Sequence, residues 1–178
     1  MTPYFEAHFH SIFNPMTPKI PISVLVIVYT PDLQVLMMKR TQKAHTGDFE
    51  KDFWQCITGS LDTPNESPRD AAVRELFEET GLIASEHELQ DWQHTSEYEI
   101  FPQWRHRYAS GVTQNTEHWF GLLVPNTSVQ ITLAPLEHTH HQWLPYRQAA
   151  DLCFSWNNAD AIRTLPERLT MTTKDKES

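Results

Sequence analysis

Three glutamates, Glu75, Glu78 and Glu79, sit in the run Glu66-x7-Arg74-Glu75-Leu76-x-Glu78-Glu79-x-Gly81-Leu82. At about 100° per residue they fall within roughly a quarter of a helix circumference, so a helix here stacks three carboxylates on one face. Adjacent negative charges repel unless cations hold them together. Hard divalent cations such as Mg²⁺ favour carboxylate and water oxygens, and usually link one or two protein carboxylates to substrate phosphates. The run therefore reads as a Mg²⁺ platform for phosphate chemistry, one that Mn²⁺ could also occupy. Arg74 stands four residues before Glu78, within reach to orient that carboxylate and offset part of the repulsion, a supporting role behind the metal ligands.

The flanking residues predict the helix that must position these groups. Ser67 is a capping residue, Pro68 suits the first helical position, Asp70 occupies the place of the capping-box acid, and Gly81 ends the helix. Ala72, Val73, Leu76, Phe77 and Thr80 cover a different sector and are expected to pack. The plain alternative is an amphipathic surface helix with a solvated acidic face. Six fixed residues at background usage would match by chance only on the order of once in 10⁵ chains, which sets that alternative aside.

These residues resemble the signature of the Nudix hydrolases: a Gly, five residues, a Glu, seven residues, then Arg-Glu-aliphatic-x-Glu-Glu-x-Gly-aliphatic. The resemblance implies divalent metal binding, cleavage of diphosphate linkages and an α/β/α sandwich with a mixed β-sheet. From Glu66 onward the match is complete. The Gly is out of register: Gly59 lies one residue too early and Ser60 holds the expected position, so the loop from Ser60 to Asn65 carries a one-residue insertion. Loops tolerate insertions better than helices do, and the loop is expected to absorb it.

A chain of 178 residues can bury one sizeable core, and 39% hydrophobic residues with 11% aromatics suit a globular enzyme. The net charge of -9 argues against a nucleic-acid partner, which would need a basic footprint. It also means that a small-molecule triphosphate approaching this surface needs local cations, either metal or a few Arg and Lys. Cys56 and Cys153 form no C-x-x-C pattern, there is no basic leader followed by an apolar stretch, and no apolar run is long enough to span a membrane. A cytoplasmic protein without membrane attachment is expected.

Along the chain, residues 1–18 read as an irregular arm, 19–168 as a single α/β domain and 169–178 as a flexible polar tail. Pro21 to Tyr29 is a β-branched run and predicts a buried strand, with Val35 to Lys39 as its hairpin partner. Thr41 to Asp52 reads as a loop and Phe53 to Thr58 as a strand leading into the metal helix. Further strands are expected at Trp92 to Phe101, Arg105 to Val112, Glu117 to Val124, Gln130 to Leu133 and Gln142 to Leu144. Pro145 to Cys153 and Asn157 to Leu165 read as helices. Strands on both sides of a central helix, with helices at the end, give a mixed sheet with helices packed on it, in agreement with the Nudix fold.

Substrate choice has to come from outside the glutamate helix. There the chain resembles the bacterial dihydroneopterin triphosphate pyrophosphatases, a folate-pathway branch of the Nudix family, in PISVLVIVY (21–29), FWQCITGS (53–60), EYEIF (97–101), RHRYA (105–109), GVTQNTEHWF (111–120) and SWN (155–157). The resemblance implies removal of pyrophosphate from dihydroneopterin triphosphate. It also implies metal ligation by Glu75, Glu79 and the distant Glu137, with Glu78 as a further ligand or as the base. For substrate it implies Lys19, Arg40, Thr58, Tyr98, Glu99, Ile100, Phe101 and Ser155. The residue types suit such a substrate, because cations neutralise phosphate oxygens and a flat bicyclic pterin fits aromatic walls and polar backbone groups. A nucleoside triphosphate such as dATP is the competing substrate, and a catalytically silent ligand-binding protein is the reading from a different class.

Other clusters read as structural. Trp54, Trp104, Trp119 and Trp156 are expected in the core, and Lys39-Arg40 taken alone is equally well a solvated strand end. Arg105-His106-Arg107 reads either as a phosphate clamp or as an edge-strand charge device, with the structural role favoured. His138-Thr139-His140-His141 matches no common zinc spacing and reads as a surface loop.

Overall fold

The computed structural model describes residues 17–41 and 53–176. The arm up to residue 16 and the loop from residue 42 to 52 lie outside the described residues. The elements are strands β1 (Ile22–Tyr29), β2 (Gln34–Arg40), β3 (Trp54–Gln55) and β4 (Ile57–Ser60), helix α1 (Pro68–Thr80), strands β5 (Glu88–Glu99), β6 (Gln114–Leu123) and β7 (His138–Pro145), and helices α2 (Tyr146–Leu152), α3 (Trp156–Arg163) and α4 (Leu165–Lys176).

Strand β1 organises the sheet because both of its faces are apolar. Val24, Val26 and Val28 point to one face, where Ala71, Ala72 and Leu76 of α1 cover them. Leu25, Ile27 and Tyr29 point to the other, under Ala149, Ala150, Ala161 and Ile162 of α2 and α3. A strand buried on both sides reads as a continuous apolar run instead of an alternating one. Truncating Leu25, Ile27, Leu76 or Ile162 to Ala is expected to cost about 2–5 kcal/mol. β1 runs parallel to β6 and antiparallel to β2 and β4, so the sheet is mixed and helices lie on both of its faces, as expected. β5 borders β6, while β3 and β7 both pair with β2.

Several elements differ from the sequence expectation, each for a local reason. The strand expected over Phe53 to Thr58 is broken at Cys56, whose amide donates to Asn158 Oδ1; β3 then pairs with β2, and β4 with β1. Arg105 to Val112 is not a strand. Pro102 opens a 3₁₀ turn over Pro102–Arg107, held by bonds such as that from the Trp104 amide to the Phe101 carbonyl. Within Gln130 to Leu133, Ile131 and Leu133 pack inward, but no strand forms because the backbone bonds the end of α1: the Thr132 amide donates to the Thr80 carbonyl. β7 is longer than Gln142 to Leu144 and takes in the whole histidine cluster. The last expected helix divides at Thr164, where Pro166 lacks the N–H that would continue it, and α4 carries helix on to Lys176.

In α1 the caps are as expected. Ser67 Oγ accepts from the Asp70 amide, and Gly81 adopts φ 72°, a left-handed conformation that favours glycine. The packing sector differs: Ala71 joins Ala72, Leu76 and Thr80 inside, whereas Val73 and Phe77 are exposed, Phe77 by 58%. The helix is rotated so that Glu79 is itself buried.

Candidate active site

Helix α1 brings its glutamates against the beginning of the sheet. Gly59 in β4 leaves the space that Glu75 fills: a β-carbon on Gly59 would lie 1.8 Å from Glu75 Oε1. The glycine that is one residue out of register is therefore in contact with the glutamate face, with Ser60 still in β4 opposite Ser23 and residues 61–65 spanning the connection. Glu66 closes that connection by accepting from the Asp62 amide at 2.6 Å and from Arg74 Nε at 2.8 Å.

Arg74 is the hub of this corner. It donates to both oxygens of Glu66, to the Ser60 carbonyl at 3.0 Å and to Glu75 Oε1 at 2.6 Å, whereas its distance to Glu78 is 3.5 Å. The expected pairing with Glu78 is thus its weakest contact. The guanidinium fork instead fixes Glu75 and ties it to the loop. Burial would raise the Glu66 carboxyl, but hydrogen bonds from Arg74 and the Asp62 amide hold it below the ordinary range.

The three glutamates differ in environment. Burial, then the neighbouring Glu79 charge, pushes Glu75 up to about 8. Burial, then Glu137, pushes Glu79 well above the ordinary range, while Arg40 and the Thr58 amide oppose that rise. Burial also raises Glu78, although its side chain is 41% exposed and faces water. Glu79 Oε1 is buried and makes no hydrogen bond among the described residues. Carboxylates that push one another up, with a buried oxygen left unpaired, form a donor set that suits a hard divalent cation.

Glu137 precedes β7, and its amide and that of His138 both bond the Ala134 carbonyl. Among the described residues, Glu79, Glu137 and His138 offer ligand atoms that all lie within 4.8 Å of one another. The structure thus brings together two of the three expected metal ligands, while Glu75 stands beside them on Arg74. His138 corrects the reading of its cluster as a surface loop: it is buried in β7, with Nε2 2.9 Å from Glu79 Oε2. Burial, reinforced by the Arg40 charge, pushes its pKa down to about 4, so the imidazole is neutral at pH 7. His140 and His141 stay exposed on the same strand.

Cations face these carboxylates. Lys19 forms a bridge with Tyr108, and its amide bonds the Arg107 carbonyl. Burial, then the charge of Arg107, lowers its pKa to about 8, with Arg40 adding to that effect and Glu75 and Glu137 opposing it. Lys19, Arg40 and Arg107 are therefore close neighbours of the glutamate face. Arg40 Nε is buried and makes no hydrogen bond among the described residues.

The remaining expected substrate residues lie at the same end of the sheet but differ in surroundings. Thr58 turns its hydroxyl to Gln55 Nε2 at 3.3 Å. Tyr98, opposite Asn115 in β6, is bonded to Ser23 and Asn115, and burial raises its phenol. Glu99 pairs with Arg105 at the surface, and Ile100 is buried with its amide on the Thr113 carbonyl. Phe101 belongs to an aromatic group with Trp104 at 5.2 Å and Phe154 at 6.0 Å, the latter stacked on Phe53 at 3.7 Å. Ser155 donates to Asn157 Oδ1, and Asn157 donates to the buried Glu117. Of the tryptophans, Trp119 is core and Trp54 and Trp104 are half-buried, but Trp156 is 57% exposed on the outer side of α3.

Sequence reasoning set His138 and Arg107 in clusters read as structural, and it assigned no role to Tyr108. Pro102 after Phe101 was the available signal for the last two, since a proline at that place starts a helical turn and re-aims the residues after it.

Comparison with known proteins agrees with this geometry. The model of the NUDIX domain matches residues 19–165. Dihydroneopterin triphosphate diphosphatase of Escherichia coli (strain K12) is 43% identical over 147 residues, 81% of this chain and 91% of that one. The Haemophilus influenzae protein of the same name is 38% identical over 144 residues, 79% and 84% of the two chains. The solved structure of the E. coli dihydroneopterin triphosphate pyrophosphohydrolase superposes with a TM-score of 0.72 at 41% identity, covering 83% of this chain and 96% of that one.

Proposed function

This chain belongs to the Nudix hydrolases, and we propose that it hydrolyses dihydroneopterin triphosphate at the α,β linkage, with Mg²⁺, to dihydroneopterin monophosphate and pyrophosphate. The observation that carries the reading is the juxtaposition of a mutually repelling carboxylate group, Glu79 buried and Glu75 and Glu137 partly so, with the cations Lys19 and Arg40 at one end of the sheet. The substrate reading is supported by relatives of the same name at 38% and 43% identity that span most of both chains.

In this reading Glu79 and Glu137, with Glu75 beside them, hold the divalent cation, which when bound polarises the scissile phosphate and lowers the pKa of the attacking water. Lys19 and Arg40 hold the phosphate oxygens, and the unpaired Arg40 Nε is a donor available for one of them. Water adds to phosphorus at the linkage, the bridging P–O bond breaks, and pyrophosphate leaves with the electron pair. Glu78 is the glutamate of the three that faces water, and it can take the proton. Arg74 holds Glu75 in place from behind. The aromatic group of Phe101, Trp104 and Phe154 offers flat faces for the pterin, and Tyr98 and Ser155 offer hydroxyls for its polar edge.

A cytoplasmic setting agrees with two cysteines that form no disulfide and with the absence, among the described residues, of any helix long and apolar enough to cross a membrane. The deciding experiment is release of pyrophosphate from dihydroneopterin triphosphate by the purified chain in Mg²⁺, with dATP competing at equal concentration. Efficient release with pterin preference supports the proposal, and a large preference for dATP removes the pterin reading. Binding without any phosphate release in Mg²⁺ or Mn²⁺ points to a silent ligand-binding protein.

A further inference from the structure

We infer that His138 is a positioning residue for Glu79: its ring N–H holds one carboxylate oxygen, Oε2, and so reserves the other, Oε1, for the cation. The inference rests on the reading of Glu79 as a metal ligand.

The geometry begins in the strand. β7 pairs evenly with β2 from Gln34 opposite Pro145 to Lys39 opposite His140, and then slips so that Arg40 faces His138 and Thr139 is the extra residue. Trp143 packs on the α1 face of the sheet. With strict alternation from Trp143, residues 141 and 139 would share that face and His138 would point to the other. The extra residue reverses this and turns His138 toward α1, as a β-bulge does when it re-aims a side chain. The result is a contact of 2.9 Å between Nε2 and Glu79 Oε2, with the two side chains 0% and 1% exposed.

With a divalent cation bound, Glu79 is ionised and only accepts, so in that state Nε2 is the donor of the pair. Glu79 sits on a helix with several rotatable bonds, and without His138 only the Thr58 amide, among the described residues, is left to hold it, so either oxygen can turn toward the cation. The orphaned Oε1 belongs to the same carboxylate that His138 fixes. A histidine whose N–H points at a carboxylate also has that nitrogen committed, which separates a positioning role from direct ligation by Nε2. Partners behind metal ligands typically contribute 10–100-fold to metal affinity or activity.

The test is Mn²⁺ binding to the full chain without substrate, followed through the paramagnetic resonance signal of the free ion, for the wild type, His138→Leu, His138→Asn and His138→Gln. Gln places an amide N–H near the position of Nε2, whereas Asn is one methylene shorter. Leu and Asn are expected to weaken Mn²⁺ binding by about 10–100-fold and to lower kcat with little change in KM, and Gln is expected to restore most of both. Nuclear modulation of the bound Mn²⁺ signal is expected to show no directly ligated histidine nitrogen in the wild type. Should Leu fail to fold by thermal melt, the contrast between Asn and Gln carries the test. Unchanged Mn²⁺ binding and kcat in the folded Leu or Asn variants overturns the positioning role alone, as does a directly bound histidine nitrogen. A wild-type chain that binds no Mn²⁺ overturns the metal reading and this inference with it.

Discussion

Gly59 and Glu75 occupy one another's space: the glycine of β4 has no side chain, and the Glu75 carboxylate lies where its β-carbon would be, 1.8 Å from Oε1. Gly59→Ala must displace Glu75, a long side chain that can move, so the fold should survive while the carboxylate leaves its place on Arg74. A melting temperature within a few degrees of wild type, with activity down by about 10–100-fold, is expected. Wild-type turnover in Gly59→Ala would show that the position of Glu75 is not critical.

Glu79→Gln keeps the shape of the buried side chain and an oxygen for His138 to donate to, but removes the charge. Because burial disfavours that charge, stability should be unchanged or higher in the absence of metal. Turnover should fall by more than about 10²-fold, beyond the usual effect of a residue that only supports a ligand. Calorimetry with and without Mg²⁺ separates the two effects: the wild type should gain melting temperature from the ion and the variant should not. Chelation with EDTA should stop the wild-type reaction, and added Mg²⁺ should restore it.

Arg74→Lys retains a positive charge but loses the fork that reaches Glu66, Glu75 and the Ser60 carbonyl together. A loss of about 1–3 kcal/mol in urea unfolding is expected from the groups left unpaired. Activity should drop with it, since Glu75 is no longer fixed. Retention of both stability and kcat in the lysine variant would count against Arg74 as the hub.

Glu117 gives a pH dependence away from the metal ligands. Burial raises its carboxyl from 4.5 to about 7, against hydrogen bonds from Asn157, Ser23 and Trp119 that favour the charged form. Between those two values the folded chain keeps a proton that the unfolded chain has released, so this group makes stability fall as pH rises through the window. Glu117→Gln removes the dependence, and the difference between variant and wild type should grow by at most ~3 kcal/mol from pH 4.5 to pH 8. Urea titrations at several pH values measure this directly, and parallel curves for the two proteins would refute it.

The sequence alone determined the helix, its caps and the order of its carboxylates, because capping and helical periodicity are local properties that depend on residues within one turn of each other. It likewise determined the doubly buried β1, since a β-branched apolar run has few other places to go. Resemblance of separate segments to one enzyme family points to the reaction class and substrate without any geometry. Only the tertiary structure decided what those groups face. The break at Cys56 depends on Asn158, about a hundred residues away, and the 3₁₀ turn at Pro102–Arg107 brings Arg107 beside Lys19. The rotation of α1 that buries Glu79 and exposes Phe77 follows from packing against the sheet, which a helical wheel does not contain. His138 is the clearest case: a single extra residue in β7 reverses which face it occupies, and strand register is fixed by the partner strand.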